Sequence, residues 1–166
     1  MQFREATIED IDEIVTLVNI AYRGEKGWTT ENALVSGDRT TADEVLGYLS
    51  NPKSHLFILA KNRVRAVICV EEQEKKAYIG FFAVHPSLQG KGVGKELLQK
   101  AENFAINTLD INHFRMSVLA DRVELIDFYC RRGYVCTNTL EDYPNHLNVG
   151  TPKRELNVVS LVKYIK

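Results

Sequence analysis

Apolar residues recur along this chain at two spacings, and each spacing predicts a different secondary structure. Over residues 8–24 they recur every three or four positions, which predicts a helix with one buried face. Thr7 and Asp10 occupy the positions of a capping box at the start of that helix. Its predicted apolar face consists of Ile11, Ile14, Val15, Val18 and Tyr22.

Helical spacing is also found in three later segments. A short helix over residues 42–49 should stop before Pro52, because a residue that precedes proline disfavours helical backbone angles. A helix of about four turns is predicted over residues 92–108, and another over residues 122–134 with Gly133 as its C-terminal stop.

Seven runs rich in β-branched and aromatic residues predict strands, at residues 2–7, 55–62, 65–72, 76–86, 113–120, 134–140 and 156–165. Two long polar connections are predicted, over residues 24–40 and 141–155, and connections of this length are commonly functional. The resulting order is β-α-α-β-β-β-α-β-α-β-β. It indicates an α+β fold, a mixed central β-sheet flanked by helices, in one domain of residues 1–166.

Net charge limits the partners that are expected for this chain, and the cysteine spacing indicates the redox state of its thiols. The chain has 21 Lys and Arg against 22 Asp and Glu residues, a net charge of -1, so overall charge favours neither nucleic acid nor an anionic membrane. Cys69, Cys130 and Cys136 form no CxxC pair, and reduced thiols in a cytoplasmic protein are expected. No signal peptide or membrane-spanning run of about 18 apolar residues is predicted.

A glycine-rich loop lies between the strand predicted at residues 76–86 and the helix that follows. It does not match a Walker loop, which needs an earlier glycine and a Ser or Thr after the lysine, nor a complete dinucleotide fingerprint. Glycines and the free amides of a helix N-terminus nevertheless favour a phosphate or pyrophosphate, and two lysines add positive charge. The alternative is a tight turn with exposed lysines. The loop reads Gln89-Gly90-Lys91-Gly92-Val93-Gly94-Lys95.

Two segments resemble the GNAT family of N-acetyltransferases. "FFAVHPSLQGKGVGKELLQKAE" is similar to the family's central strand, acetyl-coenzyme A loop and helix, and "SVLADRVELIDFYCRRGYV" is similar to its later strand and helix. The resemblance implies that the amides of residues 89–94 bind the pyrophosphate of acetyl-CoA. It also implies that the main chain at Ala83 and Val84 pairs with the pantetheine arm as an added strand. No metal is expected to take part, because the sequence lacks the grouping of Asp, Glu and His that a metal site needs.

The resemblance also implies a role for Tyr129, which matches a tyrosine that the family often uses to protonate the departing thiolate. Packing in the core is the alternative role, because Tyr129 lies at helical spacing with Leu125 and Phe128. Arg122 departs from the family pattern, which often has Asn there. Its partner could be a cofactor phosphate or a surface carboxylate.

The general base and the acceptor site are less well defined by the sequence. Glu71 and Glu72 close the strand before the central one, and either could take a proton directly or through water, although carboxylates at strand ends are commonly solvated. Trp28 and Glu31, in the long early connection, are candidates for acceptor binding, and Trp28 could equally anchor that loop. His85 is interpreted as a turn residue.

Together these features predict transfer of an acetyl group from acetyl-CoA to a primary amine of a small molecule, a peptide or a protein, by a monomer or homodimer. A non-catalytic CoA-binding sensor or interaction module is one alternative, because a fold does not guarantee chemistry. Transfer of a longer acyl group is the other. The loop would bind the same cofactor in all three cases.

Overall fold

The computed structural model describes residues 1–23, 35–142, 151–152 and 157–166. Its helices are α1 (Ile11–Arg23), α2 (Ala42–Ser50), α3 (Val93–Asn107) and α4 (Val123–Cys130). Its strands are β1 (Gln2–Glu5), β2 (Val35–Ser36), β3 (Ser54–Ala60), β4 (Val64–Gln73), β5 (Lys76–Val84), β6 (His113–Leu119), β7 (Val135–Asp142), β8 (Thr151–Pro152) and β9 (Asn157–Tyr164). Single 3-10 turns at Ile8–Asp10 and Pro86–Leu88 precede α1 and the glycine loop.

Seven of the strands form one mixed sheet in the order β1-β3-β4-β5-β6-β9-β7. All neighbouring strands are antiparallel except β5 and β6, which are parallel and connected through α3. The two connections that the sequence predicted as loops contribute β2 and β8, which pair with each other in a separate two-stranded sheet. A two-residue strand is too short for a periodic pattern to reveal it.

Helices cover both faces of the seven-stranded sheet. On one face, α1 and α2 bury Ile14, Val18 and Val45 against β3, β4 and β5. On the other face, α3 buries Leu97, Leu98, Ala101 and Ala105, and Tyr129 of α4 belongs to the same cluster. In α1 the buried stripe contains the predicted Ile14 and Val18 together with Leu17 and Ala21, while the predicted Ile11, Val15 and Tyr22 are partly buried.

The N-terminal turn is held by one carboxylate. Asp10 accepts two hydrogen bonds from the Arg4 guanidinium, at 2.8 and 2.9 Å, and one from the main-chain N–H of Thr7 at 2.8 Å. These bonds, led by the one from Arg4, lower the pKa of Asp10. The predicted interaction between Thr7 and Asp10 is thus present, and it joins β1 to the start of α1.

A second carboxylate is almost completely buried between α3 and the C-terminal strands. Glu102 is 1% exposed and accepts hydrogen bonds from the Tyr134 hydroxyl at 2.8 Å and from Lys163 Nζ at 2.9 Å. A buried charge requires such partners. The network connects α3 to β9 and to the residues that follow α4, and so fixes both helices that border the glycine loop.

Candidate active site

A β-bulge interrupts the central strand β5 halfway along its length. Ala83 pairs with Val67 of β4 but Gly80 pairs with Cys69, so β5 carries one more residue than its partner between these pairs. Phe81 lies inside the bulge with φ of 48°. This left-handed conformation costs a non-glycine residue about 1 kcal/mol or more, so the surrounding packing must hold it in place.

The bulge exchanges the two faces of β5. Before it, Ala77 and Ile79 are buried in the cluster formed with α3 and α4; after it, Phe81 and Ala83 are buried in the cluster formed with α1 and α2. In a regular strand these four residues would share one face, because side chains alternate with a period of two. Phe82 consequently packs towards α3 and α4, beside the glycine loop.

The parallel strands β5 and β6 are paired only near their first residues. Their ladder consists of Ala77 with Phe114 and Tyr78 with Arg115, and the later residues of the two strands are not paired with each other. The strands therefore separate and leave a gap in the sheet. The pairing of an extended ligand with residues 83–84, which the resemblance implies, requires a gap of this kind.

The glycine loop leads directly from the end of β5 into α3. Gly90 and Gly92 have φ of 78° and 80°, and Gly92 is the N-cap of α3. The main-chain N–H groups of residues 90–95 donate no hydrogen bond to any residue that the structure describes. No atom lies within 4 Å of the Cβ position at either glycine, so open space adjoins these amides. The side chain of Gln89 donates to the Val84 carbonyl at 3.0 Å and thereby fixes the loop to the strand.

Two cavities of about 610 Å³ each adjoin the gap. We name them after the roles that the resemblance implies. The cofactor-side cavity is bordered by the second half of β5, the glycine loop and α4. The acceptor-side cavity is bordered by α2, β4, β6 and residues 78–82 of β5. Five residues line both cavities and mark the place where they meet: Tyr22, Phe82, Arg122, Leu125 and Tyr129.

Most of the residues that were predicted to bind the cofactor border the cofactor-side cavity. They include both predicted residues on β5 and most of those in the loop. Lys91 and Val93 are not among the residues that line it, although Lys91 is exposed in the same loop. The members of the predicted set that do line it are Ala83, Val84, Gln89, Gly90, Gly92, Gly94 and Lys95.

Tyr129 lies at the junction of the two cavities and is only 6% exposed. Its ring is in edge contact with Phe128, at 5.4 Å between centroids, and with Tyr134 at 6.0 Å. Burial raises the pKa of its hydroxyl well above 10, while the charge of Arg122 acts in the opposite direction. Within the described residues the hydroxyl makes no hydrogen bond. It is therefore a protonated donor that faces the junction.

The two adjacent carboxylates of β4 face opposite sides of the sheet. Glu71 lines the acceptor-side cavity, whereas Glu72 receives a hydrogen bond from His55 Nε2 at 2.9 Å on the side of α3. The structure thus brings Glu71, and not Glu72, to the candidate site. Glu71 pairs across the ladder with Tyr78, four residues before Phe82, which places the main chain of Glu71 about 13 Å from that of Phe82 at ~3.3 Å per residue.

Tyr22 and Arg122 at the junction, and Arg39 in the acceptor-side cavity, were not predicted as site residues or were predicted without a role. Tyr22 donates from its hydroxyl to the Phe82 carbonyl at 2.9 Å. The guanidinium of Arg39 lies 5.2 Å from the Tyr22 ring centroid, and that of Arg122 lies 5.6 Å from it. Arg122 is 7% exposed and is the N-cap of α4. In the sequence, Arg122 attracted notice because the family often has Asn at that position. Tyr22 was predicted as a residue of the core.

The remaining candidates are Trp28, Glu31 and His85. Trp28 and Glu31 lie outside the described residues. His85 accepts a hydrogen bond from the Ser87 main chain at 3.1 Å, as the predicted turn residue would, and burial lowers its pKa.

Among the described residues, no group of three or more His, Cys, Asp or Glu side chains could hold a metal ion. The helices of this part of the chain include none that is long and apolar enough to span a membrane.

Comparison with known proteins agrees with this geometry. The sequence matches the model of the family described as "Acetyltransferase (GNAT) family" over residues 14–134. No curated protein sequence matches the chain significantly. Among solved structures, ribosomal-protein-alanine N-acetyltransferase from Brucella melitensis superposes with a TM-score of 0.74 at 14% identity, covering 99% of this chain and 100% of that one.

Two other solved structures show the same similarity of fold. A variant of spermidine N-acetyltransferase from Vibrio cholerae gives a TM-score of 0.70 at 14% identity, covering 99% of this chain and 95% of that one. IAA acetyltransferase from Bacillus cereus gives 0.68 at 18% identity, covering 99% of each chain. At such low identity these similarities show the fold alone.

Proposed function

Because the chain belongs to the acetyltransferase (GNAT) family, we propose that it transfers an acetyl group from acetyl-CoA directly to a primary amine of a small molecule, a peptide or a protein. One observation carries the proposal. The cavity at the glycine loop and the cavity that contains Glu71 meet at Tyr129. A donor in the first cavity and an amine in the second would come together beside this hydroxyl, as direct transfer requires.

The glycine loop is suited to acetyl-CoA. Its open amides and the positive end of the α3 dipole favour a pyrophosphate, and the Cβ-free positions at Gly90 and Gly92 leave room for the phosphates to approach. Exposed Lys91 and Lys95 add positive charge, and the gap beside residues 83–84 suits an extended arm. Acetyl-CoA would supply an acetyl group activated as a thioester.

Tyr129 is proposed as the acid. Transfer forms a C–N bond while the C–S bond breaks, so the amine loses a proton and the sulfur gains one. The raised pKa keeps the Tyr129 hydroxyl protonated at neutral pH. A thiolate formed in the same buried place is also poorly solvated, and its proton affinity rises for the same reason. The positive charge of Arg122 favours loss of the proton from Tyr129.

Glu71 is proposed as the base that receives the proton of the amine. The main chain of Glu71 lies about 13 Å from the junction along the strand, a separation that favours proton transfer through water molecules. A main-chain N–H of β5 beyond the bulge is proposed to polarise the acetyl carbonyl, since a strand edge that faces a gap can donate there.

A two-stage experiment tests the function. Calorimetry with acetyl-CoA in the presence of EDTA measures binding without metal, and a thermal-shift screen of amines in the presence of acetyl-CoA is followed by measurement of free thiol. Binding together with amine-dependent thiol release is the expected result. Binding without thiol release from any amine would instead support a non-catalytic CoA-binding module. Faster release from succinyl-CoA than from acetyl-CoA would support transfer of a longer acyl group.

A further inference from the structure

The cofactor-side cavity carries more positive charge than its glycine loop alone provides. α4 ends at Cys130, and the next two residues, Arg131 and Arg132, line this cavity together with Lys95 of the loop. None of these three side chains forms an ion pair with a carboxylate in the described part of the chain. Uncompensated cations beside a cavity favour an anionic ligand.

Arg132 is held in place beside the loop. Its guanidinium lies 3.8 Å from the Phe128 ring centroid and donates from NH1 to the Phe128 carbonyl at 2.8 Å. The same ring lies 3.7 Å from the Cβ position of Gly94, in the first turn of α3. The Nε atom of Arg132 is buried and has no hydrogen-bond partner among the described residues. A guanidinium fixed by these contacts loses little side-chain freedom when its other N–H groups bind a ligand.

The adjacent arginines repel each other in the absence of a ligand. Burial, followed by the charge of Arg131, lowers the pKa of Arg132. An anion between the two guanidiniums would remove this repulsion, and a phosphate monoester, with two negative charges and three acceptor oxygens, does so better than a carboxylate.

Coenzyme A carries such a group in addition to its pyrophosphate: a phosphate monoester at the 3′ position of the ribose, one sugar ring away. We propose that Arg131 and Arg132 form a subsite for this 3′-phosphate, so that the chain distinguishes acetyl-CoA from acetyl-3′-dephospho-CoA. The inference depends on the proposed function, since it assumes that the pyrophosphate occupies the glycine loop.

Calorimetry at about 0.15 M salt tests the subsite without any measurement of activity. Wild-type protein should bind acetyl-CoA at least tenfold more tightly than the dephospho analogue, or about 1.4 kcal/mol. In Arg132→Met, which keeps an unbranched side chain over Phe128, the ratio should fall to threefold or less while affinity for the dephospho analogue changes little. Arg131→Met should reduce the ratio in the same direction, and Arg132→Lys should keep the fold with an intermediate ratio.

Lys75→Met is the matched control, because Lys75 is an exposed cation in the turn before β5, at the opposite end of that strand from the loop. It should leave the ratio unchanged. Equal wild-type affinity for the two ligands, or a ratio that both arginine variants retain, would overturn the subsite and leave the proposed function standing. Failure of both ligands to bind would instead overturn the proposed function. Competition by inorganic phosphate as strong as that by adenosine 3′,5′-bisphosphate would reveal a general anion site and also overturn the inference.

Discussion

Replacement of Tyr129 by Phe isolates the contribution of one hydroxyl group at the junction of the two cavities. The ring contacts with Phe128 and Tyr134 are retained, because phenylalanine has the same ring. The lost hydroxyl makes no hydrogen bond with a described residue, so the free energy of unfolding should change by less than about 1 kcal/mol. Affinity for acetyl-CoA should also change little, since the proposed phosphate contacts lie in the glycine loop.

Turnover should be affected far more than stability or affinity. Loss of a general acid typically lowers the rate by ~10²-fold or more, which corresponds to about 2.7 kcal/mol in the activation barrier. The assay is release of free thiol with the best amine from the screen, together with calorimetric measurement of the acetyl-CoA Kd. A lower kcat at nearly constant Kd is the expected signature.

A matched hydroxyl deletion serves as the control. Tyr164 is 63% exposed at the end of β9, and Tyr164→Phe should leave kcat unchanged. Because burial raises the pKa of Tyr129, its deprotonation should produce no fall in wild-type kcat up to about pH 10. Turnover of Tyr129→Phe within threefold of wild type would refute the reasoning and leave Tyr129 with a packing role only.

Three further perturbations test other parts of the structure. Gly92→Val should weaken acetyl-CoA binding at least tenfold in calorimetry, because φ of 80° is unfavourable for valine and its side chain would fill the open space beside the amides. Unchanged affinity in a folded variant would show that the loop is only a turn and does not bind the cofactor. Glu71→Gln should lower kcat at least tenfold. Glu72→Gln should have little effect, because the Glu72 side chain contacts His55 and not the cavity. Equal decreases in kcat for the two variants would argue against Glu71 as the base. Asp10→Asn should destabilise the fold by about 1 kcal/mol at pH 7 in thermal or urea unfolding. The Asp10 pKa is lowered in the folded state, so its stabilisation is complete above the unfolded pKa of about 3.9 and is lost as pH falls through the folded value. A difference between the two proteins that does not shrink as pH falls below about 3.9 would contradict this.

Much of the architecture could be predicted from local patterns in the sequence. Helical spacing located α1 to α4, and β-branched runs located the seven strands of the main sheet, because both signals depend on neighbouring residues. The predicted GNAT-like fold and acyltransferase class are confirmed by the family match. The glycine loop was visible for the same local reason: Gly90 and Gly92 occupy positions with positive φ that other residues avoid.

The β-bulge in the central strand was decided by tertiary packing. Phe81 adopts a positive φ that nothing in its local sequence predicts, since an aromatic residue within an apolar run normally indicates regular strand. The bulge allows β5 to bury Ala77 and Ile79 against α3 and α4, and Phe81 and Ala83 against α1 and α2. The two buried faces must exchange along one strand, and such exchange requires an extra residue.

The sequence also could not predict which side chains border the acceptor-side cavity. Adjacent carboxylates at Glu71 and Glu72 necessarily point to opposite faces of a strand, but the sequence does not say which face adjoins a cavity. Tyr22 has the spacing of a core residue in α1, yet it reaches the Phe82 carbonyl sixty residues away along the chain. Periodicity records which residues are buried within an element, whereas an active site depends on which elements meet, and that is fixed only when the packed sheet and helices bring distant residues together.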